Sequence, residues 1–230
     1  MKTSLKALVT AALLTTGLVV AGPLTAAPPT TCAGLAATII GTASNDVITG
    51  TEGNDVITTY GGNDIVEAFG GDDHVCTGGG DDNVNGGDGK DGIYLGAGVD
   101  VGNGDGGNDR IYGLDGNDQI DGGLDHDHMF GGAGDDWIHG GPNGKDELQG
   151  GPGNDELIGD KGPDALLGGA DDDDLDGGGG ADTLAGHAGN DVIEARDGVA
   201  GNDSTNGGIG TDTCGIDAGD SATSCEVSLP

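Results

Sequence analysis

One apolar residue recurs every nine positions along most of the chain, between two neighbours that are usually polar or small. With frames counted from Gly41, the eighth position is Ile, Leu, Val, Met or Cys in 17 of 19 frames, and the exceptions are Gly102 and Thr205. Because side chains alternate between the faces of a strand, this triplet predicts a three-residue strand with one buried side chain. Strands this short are stable only when they stack on copies of themselves.

Glycine recurs at two other positions of the same frame. The fourth position is Gly in 16 of 19 frames, with Ser44, Asp125 and Asp171 as exceptions, and the first position is Gly in most frames. We expect glycine at both positions to supply positive φ angles, which residues with a Cβ atom resist. Asp at two exceptions fits this expectation, since Asp tolerates the left-handed region. The first six residues of each frame are therefore predicted to form a tight turn.

The sixth position is aspartate in every frame. These residues are Asp46, Asp55, Asp64, Asp73, Asp82, Asp91, Asp100, Asp109, Asp118, Asp127, Asp136, Asp146, Asp155, Asp164, Asp173, Asp182, Asp191, Asp203 and Asp212. Random scatter would put only about four of the chain's aspartates at any one of nine positions, so the phase is maintained along the chain.

Alternating turns and strands of this kind predict an all-β fold, a parallel β-roll of the right-handed β-helix or solenoid type. Two nonapeptides form one coil, so about 20 repeats give about ten coils and a rod roughly 50 Å long. Two narrow parallel sheets would enclose a single file of Ile, Leu and Val. Because only one residue in nine is buried there, we expect the fold to need a further source of stability.

The nine-residue register is interrupted twice and weakened once. We expect one extra residue at Gly140 and three at Ala195–Asp197, both bulging from turns. The frame at 95–103 lacks the first glycine and the apolar eighth residue, so its strand and its ion are expected to be weak.

Composition explains why hydrophobic burial alone does not stabilise this chain. Its 230 residues include 53 Gly but only three Tyr, two Phe and one Trp, and its formal net charge is −34. Such a composition is typical of disorder, although a disordered tail has no need for a fixed aspartate phase. With seven Lys and Arg, the chain offers no basic surface for nucleic acid or anionic membranes, so cations are the expected partners.

Stacked coils would place each sixth-position carboxylate beside its counterpart 18 residues away, which creates two rows of negative charge. A hard dication between coils would convert this repulsion into coordination. Ca²⁺ accepts six to eight oxygen ligands in adaptable geometry, whereas Mg²⁺ requires a stricter octahedron. Transition metals prefer imidazole or thiolate, which the frame lacks. We therefore expect several Ca²⁺ ions as cofactors.

The frame resembles the RTX repeat, written GGxGxDxUx. The segments GGAGDDWIH (131–139), GGPGNDELI (150–158) and GGGGADTLA (177–185) match it at every fixed position, and the resemblance covers about 41–215. It implies a calcium-bound parallel β-roll that is disordered without the ion, with each ion held between turns two repeats apart. It also implies that the 19 aspartates are side-chain ligands, assisted by backbone carbonyl groups of the turns.

The first residues predict export. Lys2 and Lys6 precede an apolar run at Ala7–Val20, which is short for a membrane span and is followed by small residues. This pattern is typical of a signal peptide, here predicted at 1–27. The mature chain is therefore expected to be secreted and to have no membrane span.

Two short segments are predicted to cap the roll, 28–40 with Cys32 and 216–230 with Cys225. The four cysteines are Cys32, Cys76, Cys214 and Cys225. They allow three connectivities, and their placement favours Cys32–Cys76 and Cys214–Cys225. Disulfides persist in oxidising compartments, in agreement with export. The cysteines and the amino-terminal signal make the chain resemble stand-alone RTX-type exoproteins of Gram-positive bacteria, rather than the cysteine-free toxins.

No arrangement of residues predicts an enzyme. The five histidines share no frame position, and the isolated His126-Asp127-His128 triplet is interpreted as a solvated turn, since it lacks a closed ligand set. Carboxylates are too numerous to single out an acid–base pair, and neither a G-x-S-x-G elbow nor the Gly-Lys-Ser/Thr motif of phosphate-binding loops is present.

The leading hypothesis is a secreted protein whose roll is folded and stabilised by calcium. An alternative is a calcium-dependent adhesion module that binds a polysaccharide, a cell surface or extracellular matrix, with aromatic side chains as candidate contacts. These are Tyr60, Phe69, Tyr94, Tyr112, Phe130 and Trp137. A hydrolase that carries the repeats is a further alternative, but the flanking segments are too short for a catalytic domain.

Overall fold

Two parallel β-sheets face each other along the chain. The computed structural model describes residues 31–199 and 201–228. Each sheet has eleven strands, and consecutive strands alternate between the sheets, so two strands and two turns make one coil. The all-β parallel roll predicted from the frame is confirmed, whereas the predicted signal peptide at 1–27 lies outside the described residues.

The strands of each sheet follow one another in steps of one coil. The first sheet contains β4 (Val47–Thr51), β6 (Ile65–Phe69), β8 (Asn83–Asp88), β10 (Val101–Gly106), β12 (Gln119–Asp121), β14 (Trp137–His139), β16 (Glu156–Ile158), β18 (Asp174–Asp176), β20 (Val192–Ala195), β22 (Thr213–Ile216) and β24 (Glu226–Ser228). The second sheet contains β3 (Ile39–Ile40), β5 (Val56–Thr58), β7 (His74–Gly79), β9 (Gly92–Ala97), β11 (Arg110–Asp115), β13 (His128–Ala133), β15 (Glu147–Pro152), β17 (Ala165–Ala170), β19 (Thr183–Ala188), β21 (Ser204–Ile209) and β23 (Ser221–Thr223). An antiparallel pair, β1 (Thr31–Cys32) and β2 (Leu35–Ala36), precedes both sheets.

The register aligns equivalent frame positions of successive coils. In the second sheet Ile93 pairs with Ile111, and Ile111 pairs with Met129. All nineteen eighth-position residues are buried, including Gly102 and Thr205. The core therefore consists of two facing rows, one from each sheet, where a single file was expected. Both rows belong to one continuous apolar cluster.

The strand at Gly102 forms in spite of the missing side chain, so the expectation of a weak strand there is wrong. Strand β10 pairs with β8 and β12 in the same register as its neighbours. Leu95, at the first position of the same frame, points into the space above Gly102. A Cβ on Gly102 would lie 3.0 Å from Leu95 Cδ1 and 3.3 Å from Ile111 Cγ2. The Leu95 side chain thus fills the core space that an apolar side chain at position 102 would otherwise occupy.

Many strands contain six residues, where three were predicted. In β11, Leu114 and Asp115 belong to the following turn by sequence, yet they pair with Gly96 and Ala97 of the preceding coil. The turns stack as closely as the strands do, so their backbones also form inter-coil hydrogen bonds. This pairing extends the sheet beyond the apolar triplet.

Positive φ angles occur at the second and fourth positions, whereas the first and fourth were expected. Gly96 and Gly98 illustrate the pattern, with φ of 114° and 153°. Asp125 and Asp171 have φ of 77° and 79° at the fourth position, as predicted for a residue that tolerates the left-handed region. The frequent glycine at the first position therefore has another cause, which is its closeness to the sixth-position aspartates described below.

Both insertions lengthen turns without shifting the register. Gly140 is not the extra residue, because its N–H donates to Ile158 O as other first-position residues do. The next coil regains register where Asn143 bridges to Leu124, so the extra residue is Pro142. In the second insertion Ala195 still belongs to β20, so the three added residues lie in the turn that follows it.

The sheets continue past both ends of the predicted repeat. Strand β3 precedes Gly41, and β23 and β24 follow residue 215. Both favoured disulfides form, Cys32–Cys76 and Cys214–Cys225. The first ties the hairpin of β1 and β2 to β7, and the second joins β22 to the turn before β24. Within residues 31–199 and 201–228, no helix is long and apolar enough to cross a membrane.

Replacing one core residue should destabilise the whole roll. Ile193 is 1% exposed, whereas its neighbour Val192 in β20 is 49% exposed. Ile193→Ala should lower the free energy of unfolding by about 2–5 kcal/mol through lost burial and a residual cavity. The matched control Val192→Ala should change it by less than about 0.5 kcal/mol. Urea unfolding in calcium-containing buffer measures both, and equal effects would contradict the assignment of Ile193, but not Val192, to the core.

Candidate metal centre

The sixth-position aspartates form two ladders, one for each turn of a coil. The first ladder contains Asp46, Asp64, Asp82, Asp100, Asp118, Asp136, Asp155, Asp173, Asp191 and Asp212. The second contains Asp55, Asp73, Asp91, Asp109, Asp127, Asp146, Asp164, Asp182 and Asp203. Equivalent residues of successive coils are therefore neighbours, as the spacing predicted.

One carboxylate oxygen of each aspartate after the first joins its coil to the preceding one. The backbone N–H of Asp91 donates to Asp109 Oδ1 over 2.8 Å, and that of Asp109 donates to Asp127 Oδ1 over 2.8 Å. The bond is kept across the insertion, where the N–H of Asp127 donates to Asp146 Oδ1 over 2.9 Å. Oδ1 is thus used within the protein, and Oδ2 is left for another partner.

In 17 of the 19 aspartates, Oδ2 is buried and has no hydrogen-bond partner in the described chain. These residues are Asp64, Asp73, Asp82, Asp91, Asp100, Asp109, Asp118, Asp127, Asp136, Asp146, Asp155, Asp164, Asp173, Asp182, Asp191, Asp203 and Asp212. A buried carboxylate oxygen without a partner is costly, because the solvation it loses is not replaced. Each of these oxygens therefore requires a proton or a cation.

The first-position glycines make room beside Oδ2. A Cβ added to Gly122 would lie 2.7 Å from Asp127 Oδ2 and 2.7 Å from the carbonyl oxygen of Gly140 in the next coil. The arrangement recurs at Gly159, where the corresponding oxygens belong to Asp164 and the following coil. A carboxylate oxygen and a carbonyl oxygen thus converge on a space that a methyl group would fill. This close approach explains glycine at a position whose φ is not positive.

Burial raises the pKa of most ladder carboxyls. The pKa of Asp109 is raised to about 8, and those of Asp127 and Asp136 to about 7. Desolvation is the main cause for each. For Asp109, the N–H of Asp91 acts in the opposite direction, and the like charges of Asp127 and Asp91 raise the pKa further. The anionic ladders are therefore unfavourable at neutral pH unless a cation compensates them.

The donors around these spaces are all oxygens, which is the chemistry that Ca²⁺ prefers. Among residues 31–199 and 201–228, no group of three or more His, Cys, Asp or Glu side chains is close enough to hold a metal ion. Carboxylates alone are therefore an incomplete ligand set. Backbone carbonyl groups must contribute, and Ca²⁺ accepts carbonyl and carboxylate oxygens in flexible geometry. The buried Oδ2 atoms and the glycine-lined spaces fit this ion.

A second set of inter-coil bonds at the fifth frame position was not predicted. Asn54 Oδ1 accepts the N–H of Asp72 over 3.1 Å, and Asp72 Oδ1 accepts the N–H of Lys90 over 3.2 Å. Here the side chain accepts from the following coil, so these bonds run opposite to those of the sixth position. His126 does the same through Nδ1, which accepts the N–H of Lys145 over 2.7 Å. The signal in the sequence was the frequency of Asn and Asp at position five.

Two other histidines, His128 and His139, lie within hydrogen-bonding distance of carboxylates. His128 Nδ1 lies 2.9 Å from Glu147, and His139 lies between Asp121 at 3.3 Å and Asp160 at 3.0 Å. Burial lowers the pKa of His139, but the bonds to Asp160 and Asp121 outweigh it and raise the pKa overall. These contacts are spread over different coils and do not form a shared cluster.

Three aromatic rings form a row on the outer face of the second sheet. Tyr94 and Tyr112 have centroids 4.8 Å apart and planes within 6°, and Tyr112 and Phe130 have centroids 5.0 Å apart and planes within 4°. Both faces of Tyr112 are therefore covered by neighbouring rings. Trp137 packs beside His139 on the first sheet, with ring centroids 5.5 Å apart.

The repeated part of the chain matches a known protein family. The model of the family described as RTX calcium-binding nonapeptide repeat (4 copies) matches residues 40–75, 67–102, 94–129, 121–142, 143–175, 167–199 and 176–214. Together these segments extend from residue 40 to residue 214, well over half of the chain. No curated protein matches the chain.

The raised carboxyl pKa values predict that protonation of the ladder aspartates at acidic pH stabilises the roll in place of a cation. Asp109, Asp127 and Asp136 have folded-state pKa values above the ordinary 3.8, so protonation stabilises the metal-free roll. This stabilisation should be complete below about pH 4 and lost as the pH rises through about 7 to 8. Circular dichroism of protein dialysed free of metal should show strand structure at acidic pH and its loss near neutrality. A metal-free chain with the same spectrum across this range would contradict the prediction.

Proposed function

The chain belongs to the RTX calcium-binding nonapeptide-repeat family, and from this we infer that calcium occupies the aspartate ladders and folds the roll outside the cell. The observation that carries the inference is the set of 17 buried Oδ2 atoms without a partner. Cations at these positions would compensate both the lost solvation and the repulsion along each ladder. The 17 aspartates, with backbone carbonyl groups of the turns, are the proposed ligands.

Backbone and side-chain groups of the protein position the proposed ligand oxygens. Oδ1 of each of these 17 aspartates accepts the backbone N–H of the equivalent aspartate in the preceding coil, and this bond fixes the direction of Oδ2. First-position glycines keep the adjacent space open, as at Gly122. Bound calcium supplies positive charge and accepts oxygen ligands. Because the apolar core is thin, the free energy of ion binding becomes free energy of folding.

Secretion is part of the proposal. The predicted signal peptide at 1–27 and the two disulfides favour an oxidising compartment outside the cytosol. Calcium is scarce in the cytosol, so the chain would remain unfolded there and would fold after export. The protein is then a structural, ion-binding exoprotein without catalytic activity. Within the aromatic row, neighbouring rings cover both faces of Tyr112 and leave neither free to stack on a sugar, which does not favour adhesion through this residue.

Calcium titration tests the proposal directly. At neutral pH the wild-type chain should lack strand structure in chelator and gain it cooperatively as Ca²⁺ is added, with binding followed by calorimetry. Asp109→Asn should shift the midpoint to higher calcium, because one buried carboxylate is lost. The exposed Asp115→Asn removes the same charge from the same coil and should leave the midpoint almost unchanged. Strand structure already complete in chelator at neutral pH would overturn the proposal.

Filling one glycine-lined space should weaken ion binding. Gly122→Ala would place a methyl group 2.7 Å from Asp127 Oδ2 and 2.7 Å from Gly140 O. Overpacking of this kind costs about 1–3 kcal/mol, so the calcium midpoint should rise roughly fivefold to 150-fold. Gly179→Ala is the control, because its nearest neighbour, Asp160 O, would be 4.0 Å away. A similar shift in both variants would indicate a general effect of losing glycine.

A further inference from the structure

The first aspartate of each ladder differs from those that follow. In Asp46, Oδ2 accepts the Thr42 N–H over 2.6 Å and the Thr42 hydroxyl over 3.0 Å. In Asp55, Oδ2 accepts the Thr51 N–H over 2.8 Å and the Thr51 hydroxyl over 2.9 Å. Oδ2, which lacks a hydrogen-bond partner in the other 17 aspartates, thus accepts two hydrogen bonds in each of these two residues. Each ladder has one such turn, at its amino-terminal end.

The backbone of these two turns also differs. Thr42 and Thr51 occupy the second position, where Gly78, Gly87 and most other frames have positive φ, but neither threonine does. Their N–H groups consequently face the carboxylate of their own frame. The Thr51 hydroxyl additionally accepts the N–H of Gly53 over 3.2 Å, which closes the turn from within. Both turns are therefore complete without an added ligand.

The carboxyl-terminal end of the second ladder is closed by backbone amides. Asp220 follows Asp203 in register, since the N–H of Ser221 donates to Asp203 O over 3.0 Å. Asp220 Oδ1 accepts the N–H groups of Gly201 and Asn202 over 2.7 and 3.0 Å, and Oδ2 accepts that of Asp217 over 2.8 Å. Both oxygens of this carboxylate are used within the protein.

The first ladder ends in a covalent bond. The N–H of Glu226 donates to Asp212 O over 2.7 Å, so Cys225 takes the place of the next ladder aspartate. It is bonded to Cys214 of the preceding strand. A disulfide therefore stands where the ladder would otherwise present another carboxylate.

We propose that both ladders end in caps that need no metal, and that Asp46 and Asp55 do not bind calcium. The caps are the turns of Thr42 and Thr51, the Asp220 turn and the Cys214–Cys225 disulfide. This rests on the proposed function and sets the limits of the ion-binding region. Calcium binding is confined to the coils between the caps, and the terminal turns keep their conformation through their own bonds.

Counting bound ions by native mass spectrometry tests the assignment. The double variant Asp46→Asn/Asp55→Asn should bind the same number of Ca²⁺ ions as wild type. The matched variant Asp109→Asn/Asp127→Asn, with the same charge change inside the second ladder, should lose at least one ion. Circular dichroism in saturating calcium verifies that each variant contains the roll.

Each outcome of this count discriminates. Ion loss in the Asp109/Asp127 variant alone supports the caps. Equal loss in both variants overturns the caps while the proposed function stands. No calcium on any of the proteins, wild type included, overturns both.

Hydrogen exchange provides a second test that does not depend on the ion count. Thr42→Val/Thr51→Val removes the hydroxyl donors, so amides of residues 41–58 should exchange about five- to tenfold faster in saturating calcium. The number of bound ions should not change. Thr49→Val, on the exposed face of β4, is the control and should leave exchange unaffected. Unchanged exchange in the double variant would show that the hydroxyl groups do not hold these turns.

Discussion

The fold depends on the different roles of the two carboxylate oxygens in each buried ladder aspartate. Oδ1 accepts the N–H of the equivalent aspartate one coil earlier, and this bond sets the stacking of the turns. Oδ2 is then held away from water with no partner in the protein, as in Asp109 and Asp127. The glycine beside most of these carboxylates, the raised pKa values and the need for a cation all follow from these two roles. The charges of this acidic chain are thus placed at regular intervals along the roll, where the proposed calcium ions would compensate them.

The apolar core and the ladders constrain the chain independently, which explains how the roll absorbs its irregularities. Pro142 and the three residues after Ala195 extend turns, yet strands on both sides remain in register. Leu95 occupies the core space that Gly102 leaves, so a frame with two departures still forms its strand. In each case the deviation is confined to one coil, since a coil contacts only its neighbours.

Periodicity predicted the features that recur, namely the two sheets, the buried eighth position and the aspartate ladders. It did not reveal why each glycine is needed. A backbone with positive φ and a close approach that leaves no room for a Cβ atom both favour glycine. Hence the first position was wrongly expected to have positive φ, and its closeness to Oδ2 became visible only in three dimensions. The threonines of the first two turns and the amides around Asp220 were also missed, since a single hydrogen bond leaves no periodic signal. Pro142 was not identified as the inserted residue because only the hydrogen bonds of the residues on either side of it show its position. The spacing of the sequence does not specify those bonds.

The aromatic row of Tyr94, Tyr112 and Phe130 has a consequence for how such a protein changes length. These rings stack because residues 18 positions apart fall on the same face of the same sheet. A gene duplication of 18 residues would add a whole coil and leave every surface row continuous. A duplication of nine would move all later side chains to the opposite sheet and break this row in two. The nonapeptide is therefore the unit of sequence, but the coil is the unit by which this rod can lengthen while preserving its surface.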